Sequence, residues 1–94
     1  MTTFYEFWTW YRSMHRRRVT RVVHAIATGT AIALLLAAIA QGSILLALAA
    51  PLCDYGIAQL AHRLFEGNTT RPWRHPIWHL RAELMLFRAT LAGE

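Results

Sequence analysis

Lysine is absent from this 94-residue sequence: its ten basic side chains are all arginines, set against five acidic residues, one cysteine and three prolines. A single thiol excludes an internal disulfide and any paired-cysteine zinc motif. Charged residues make up 16% of the chain and apolar ones 55%. A typical soluble domain carries about 25% charge, and a disordered chain is far less apolar. Between Val22 and Cys53 there is no charge of either sign, so every charged side chain lies in the flanks of one long apolar run. That distribution points to a membrane protein and away from a nucleic-acid binder. The length excludes two ordinary domains and most cofactor-binding α/β folds, so residues 1–94 read as a single domain.

What is present reads as an all-α protein, a central apolar hairpin flanked by amphipathic helices. Over residues 3–14, Phe4, Phe7, Trp8 and Tyr11 recur at helical spacing and form an aromatic stripe. Such a stripe either sits at a membrane–water boundary or packs onto the rest of the chain. After the basic junction His15–Arg21, alanine, leucine and isoleucine dominate, with an interruption at Gln41-Gly42-Ser43. We read arms over 19–40 and 43–66 turning there, each long enough to cross about 30 Å of hydrocarbon. Pro51 should kink or break the second arm, and Gly67 should end it. Pro76 opens a last helix over 76–91, with Ile77, Leu80, Leu84, Phe87 and Leu91 on one face and Arg81 and Arg88 on the other.

Arginines flank both open ends of the hairpin and none lies at its turn. The positive-inside rule then puts both termini in the cytoplasm, as in a multi-pass protein of a bacterial inner membrane. The same cluster, with Arg21 and Arg63, is suited to lipid headgroups or to a fatty-acid carboxylate. A twin-arginine export signal is disfavoured by the aromatic residues before the arginines and by His24 inside the apolar core. Cys53 reads as a small packing residue. Gly29, with Ala25, Ala33 and Ala37, would let a second copy pack closely, as in a homodimer.

All five histidines fall near the basic end. Counted from Gly42, His24 lies about 27 Å and His62 about 30 Å along their helix axes, so the two imidazoles reach one depth. Two buried imidazoles at one level need compensation, and a bound metal provides it; imidazole suits iron, zinc, copper and nickel. His15 joins the same site if the chain bends around Arg16–Arg18, and His75 if its loop folds back. Glu66, one turn after His62, is either a carboxylate ligand or a partner that orients an imidazole. His79 reads as a further ligand or as an interfacial group.

The order of these residues resembles a known family. His15 and His24 with Arg21 between them and Gly29 after them, then Tyr55-Gly56, then Ala61-His62-Arg63-Leu64-Phe65-Glu66-Gly67-Asn68, then Arg71 to Leu80 with His75-Pro76, are similar to the ordered motifs of the iron-dependent 2-hydroxy-fatty-acid dioxygenases of fatty-acid α-oxidation. Asp54, Ala61, His79 and Glu83 stand where that family usually has Gly, Gly, Ser and Asp. The resemblance implies a membrane enzyme that uses Fe(II) and O2 to shorten a 2-hydroxy fatty acid by one carbon, C1 leaving as CO2. It also implies that His15, His24, His62 and Glu66 carry catalysis, and that His15, His24, His62 and His75 hold the metal. Two other classes fit the residues: a bis-histidine haem hairpin using His24 and His62, and a membrane assembly or anchor protein without catalysis.

Overall fold

The structure, a computed structural model, describes residues 2–94 and is helical throughout, with no strand among the described residues. Helix α1 spans Phe4–Ser13, α2 Arg18–Gln41, α3 Ile44–Ala61 and α4 Pro76–Leu91. A π-helical turn, His62–Glu66, continues α3, and a 3-10 turn, Pro72–Arg74, precedes α4. Local chemistry accounts for the boundaries. Thr3 accepts from the Glu6 amide and caps α1, as Ser43 accepts from the Leu46 amide and caps α3. Gly42 and Gly67 take the left-handed conformation, φ 61° and 70°, that closes a helix and that side-chain-bearing residues rarely adopt.

Helices α2 and α3 form the expected hairpin. They meet along small side chains, with Ala27, Ala31, Ala38, Ala50, Ala58 and Ala61 buried. Alanine lets the two backbones approach while the larger side chains turn outward. Ile39, Ile44, Leu45 and Leu52 are each more than 70% exposed. Both helices, Arg18–Gln41 and Ile44 through Glu66, are long and apolar enough to cross a membrane. Helix α3 runs through Pro51 without a break. Proline costs one backbone hydrogen bond there, and the pairing on either side holds the helix.

Helix α4 packs on α2 and is covered by α1. Phe7 and Tyr11 of α1 close over Ala82 and Leu86 of α4, with Phe4, Trp8, Trp10 and Trp78 around them. The aromatic stripe of α1 is thus packed inward. The apolar face of α4 is not: Ile77, Leu80, Leu84 and Leu91 are exposed, while Ala82 and Leu86 face the protein. Gly29 lies against Phe87, whose ring is 3.8 Å from where its Cβ would stand, so this small residue serves the contact between α2 and α4.

Candidate metal centre

Three imidazoles converge at the open end of the hairpin. His15 stands in the bend between α1 and α2, His24 on α2, and His62 at the start of the π turn. They are 2%, 4% and 1% exposed. Their ring centroids are 5.0 Å (15–24), 4.4 Å (15–62) and 6.3 Å (24–62) apart. One nitrogen from each lies within 4.8 Å of the others. The depth match between His24 and His62 therefore becomes a contact, and the bend at residues 14–17 brings His15 in.

Hydrogen bonds fix how two of these rings are protonated. His15 Nδ1 is 2.7 Å from the Tyr11 carbonyl oxygen, which can only accept. Nδ1 therefore carries the proton and Nε2 the lone pair, and that Nε2 is buried without a partner. His62 Nδ1 donates to Asn68 Oδ1 at 2.7 Å, so its lone pair is on Nε2. His24 has Tyr11 Oη 3.3 Å from Nε2 and Thr28 Oγ1 3.5 Å from Nδ1. Burial lowers His15 to about 3, so its ring is neutral. A buried lone pair with no donor is costly, and a cation satisfies it. Neutral imidazoles, two of them oriented through Nδ1, are the donor set of iron, zinc, copper or nickel sites. The residues fit a metal.

They do not fit haem. The centroid distances put the His15 ring close to the plane midway between His24 and His62, where a macrocycle ligated by both would lie.

The other expected residues are placed differently. His75 is outside the triad, stacked on Trp78 at 5.1 Å because Pro76 starts α4 directly after it and sets the two rings side by side. Glu66 is not among the grouped ligand atoms. Its carboxylate accepts from the amides of Arg16 (3.1 Å) and Arg17 (2.9 Å) and from Thr20 Oγ1 (2.6 Å). It thereby satisfies the start of α2, where Arg17 offers no cap of its own. The ion pair with Arg16 is long, 3.9 Å, with an exposed guanidinium, and contributes little. Arg21 donates from Nη1 to the carbonyls of His15 (3.0 Å) and Arg16 (2.8 Å), which holds the bend that carries His15. Arg63 is exposed.

A cavity of about 530 Å³ adjoins the triad at His24. Its walls include Pro51, Ala58, Trp73 and Leu80, and its polar lining includes Asp54, His79 and Glu83. Glu83 accepts from Thr28 Oγ1 at 3.0 Å, and burial together with the neighbouring Asp54 raises its carboxyl to about 8. Burial lowers His79 to about 4, and its Nε2 is buried without a partner. The loop below is pinned by Gln59, which donates to the Thr70 carbonyl (3.1 Å) and accepts from its amide (3.2 Å).

Sequence reasoning passed over Tyr11, Asp54 and Glu83 as site residues. One signal for Asp54 was available: it is the only charge between Arg21 and Arg63. An ionisable group inside an apolar segment is a functional candidate by default. Glu83 carried one as well, an acid standing where the resembled family usually has Asp, whereas Tyr11 read only as part of the aromatic stripe.

Compared with the family profiles, the whole chain, residues 1–94, matches the one described as 2-hydroxy-palmitic acid dioxygenase Mpo1-like. The chain belongs to the Mpo1-like family. No curated protein and no solved structure matches it. The Mpo1-like description names a dioxygenase acting on 2-hydroxy-palmitic acid.

Proposed function

We propose that this protein is an Fe(II)- and O2-dependent dioxygenase that shortens 2-hydroxy fatty acids by one carbon at a membrane surface. The observation that carries the reading is the buried triad, with Nε2 of His15 left without a partner, next to a cavity with apolar walls. His15, His24 and His62 would hold the iron. Bound there, iron supplies a Lewis acid for the substrate's carboxylate and 2-hydroxyl and electrons for O2. Overall, a 2-hydroxy acid and O2 give the acid one carbon shorter, CO2 and water.

The chain's own residues do the rest. The Tyr11 carbonyl and Asn68 hold two imidazoles in their ligating tautomers. Pro51, Ala58, Trp73 and Leu80 offer the acyl chain an apolar wall that excludes water from the reacting carbons. The Tyr11 hydroxyl is fully buried and keeps its proton, because burial and then Glu83 raise it well above the usual phenol range. It thus holds a proton at Oη, 3.3 Å from His24 Nε2. Replacing Tyr11 by Phe preserves the ring and should leave bound metal unchanged. It should lower kcat about 100-fold, the effect of losing a positioned proton donor, as read by single-turnover oxygen uptake.

The hairpin would cross the membrane with both termini on the cytoplasmic side. The outward apolar surfaces of α2, α3 and α4 support this, as does the absence of arginine from the hairpin between Arg21 and Arg63. An acyl chain then reaches the cavity without leaving the bilayer. Ala58 is buried at the cavity wall. In Ala58→Leu the added carbons displace substrate methylenes, each worth about 0.8 kcal/mol, or about fourfold in kcat/KM. Shorter 2-hydroxy acids should lose less, so a chain-length series of kcat/KM checks the assignment.

The deciding experiment is oxygen uptake with 2-hydroxypalmitate by anaerobically iron-loaded protein, with the product identified by mass spectrometry. We expect pentadecanoate, none from palmitate, and none after chelation. Undiminished turnover by metal-free protein overturns the reading.

A further inference from the structure

Beside the triad lies a second set of ligand atoms, one each from His24, Asp54 and Glu83, mutually within 4.8 Å. They come from three helices: His24 from α2, Asp54 from α3 and Glu83 from α4. Asp54 Oδ1 is buried here without a partner, and so is Nε2 of a fourth side chain, His79. All four side chains line the cavity. No arginine lines it, so no protein cation offsets the two carboxyl groups there.

We infer that Asp54 and Glu83, with His79 beside them, form a second divalent-cation position next to His24, so that this family member carries a two-metal centre. The inference rests on reading the triad as the first position. Its chemistry differs from the triad's: two carboxylates with imidazole suit a harder ion such as Mn(II) or Fe(II), whereas three neutral nitrogens suit the borderline metals. The His24 imidazole stands between the two positions, with Nε2 towards Tyr11 and Nδ1 towards Thr28, which itself bonds Glu83. A cation here has a purpose the triad alone does not serve. The substrate headgroup is an anion, and to reach the triad through this cavity it must pass two carboxyl groups. A bound cation displaces the proton the two carboxyl groups hold, is held by both, and gives the anionic headgroup a second anchor. His79 is then a donor to this second position.

The test is equilibrium dialysis of metal-free protein in detergent against Mn(II), with bound metal counted by elemental analysis and helical content followed by circular dichroism. Wild type should hold two equivalents. Glu83→Gln and, separately, Asp54→Asn should each hold one, and His15→Ala should hold one. If wild type holds a single equivalent that His15→Ala removes and Glu83→Gln leaves in place, the second position is refuted and the triad stands. A single equivalent removed by Glu83→Gln and kept by His15→Ala refutes the triad as a metal site, and with it the two-metal centre. Using both Asp54→Asn and Glu83→Gln guards against one of them failing to fold.

Discussion

Changing His62 to Ala is expected to bring oxygen uptake on 2-hydroxypalmitate to background and to remove one equivalent of bound metal. His62 gives one of three neutral nitrogens, and its ring is 4.4 Å from that of His15 and 6.3 Å from that of His24. With two donors left, the ion has no closed set of protein ligands on that side, and water enters a pocket that is otherwise 1–4% exposed at these residues. The variant also frees Asn68, whose Oδ1 has only that imidazole as its side-chain partner among the described residues. Asn68→Ala keeps all three rings but loses the bond that fixes His62, and a partner of this kind is worth about 10–100-fold in metal affinity. His75→Ala is the contrasting control. Its ring rests on Trp78, outside the triad, so metal content should not change. Full activity in His62→Ala, or loss of metal in His75→Ala at unchanged helicity, contradicts this assignment.

The second large effect is expected at Glu66, on stability. Its side chain is 1% exposed and accepts three hydrogen bonds, two from amides at the start of α2 and one from Thr20. Hydrogen bonds to an ionised group contribute about 1.5–3 kcal/mol each. The amides of Arg16 and Arg17 are open enough for water to replace part of that, so Glu66→Ala should cost about 2–4 kcal/mol. Because Glu66 ties the end of the π turn to the bend carrying His15, metal affinity should fall as well. Glu66→Gln keeps one acceptor oxygen and should lie between the two. Thermal unfolding in detergent, with and without metal, separates these contributions. If Glu66→Ala unfolds normally but binds no metal, the carboxylate is itself a ligand and its place as an anchor of α2 is wrong.

The two roles entertained for Glu66 show where sequence reasoning stopped. Position one turn after His62 puts it on the same helical face, and an α-helix would have aimed it at the ligands. The chain instead winds into a π turn over His62–Glu66. There the amides of Arg16 and Arg17 and the Thr20 hydroxyl take up the Glu66 carboxylate, a meeting with the start of α2 that spacing along one helix does not reveal. His75 is similar: its loop passes close enough to the site, but Pro76 and the stacking on Trp78 set its direction.

What followed from the residues alone was set by period, length and charge. The uncharged run, the Gly42 turn and the proline at the start of α4 specify a helical hairpin with flanking helices, because backbone sterics and apolar burial act locally along the chain. Equal distances from the turn also bring His24 and His62 to one depth. Which imidazoles meet, which carboxyls face the cavity, and which face of α4 looks outward were decided by packing among α1, α2, α3 and α4. Those contacts join residues as far apart as Thr28 and Glu83. They depend on how helices rotate about their axes and on one turn of altered pitch, neither of which a linear pattern of residue types encodes.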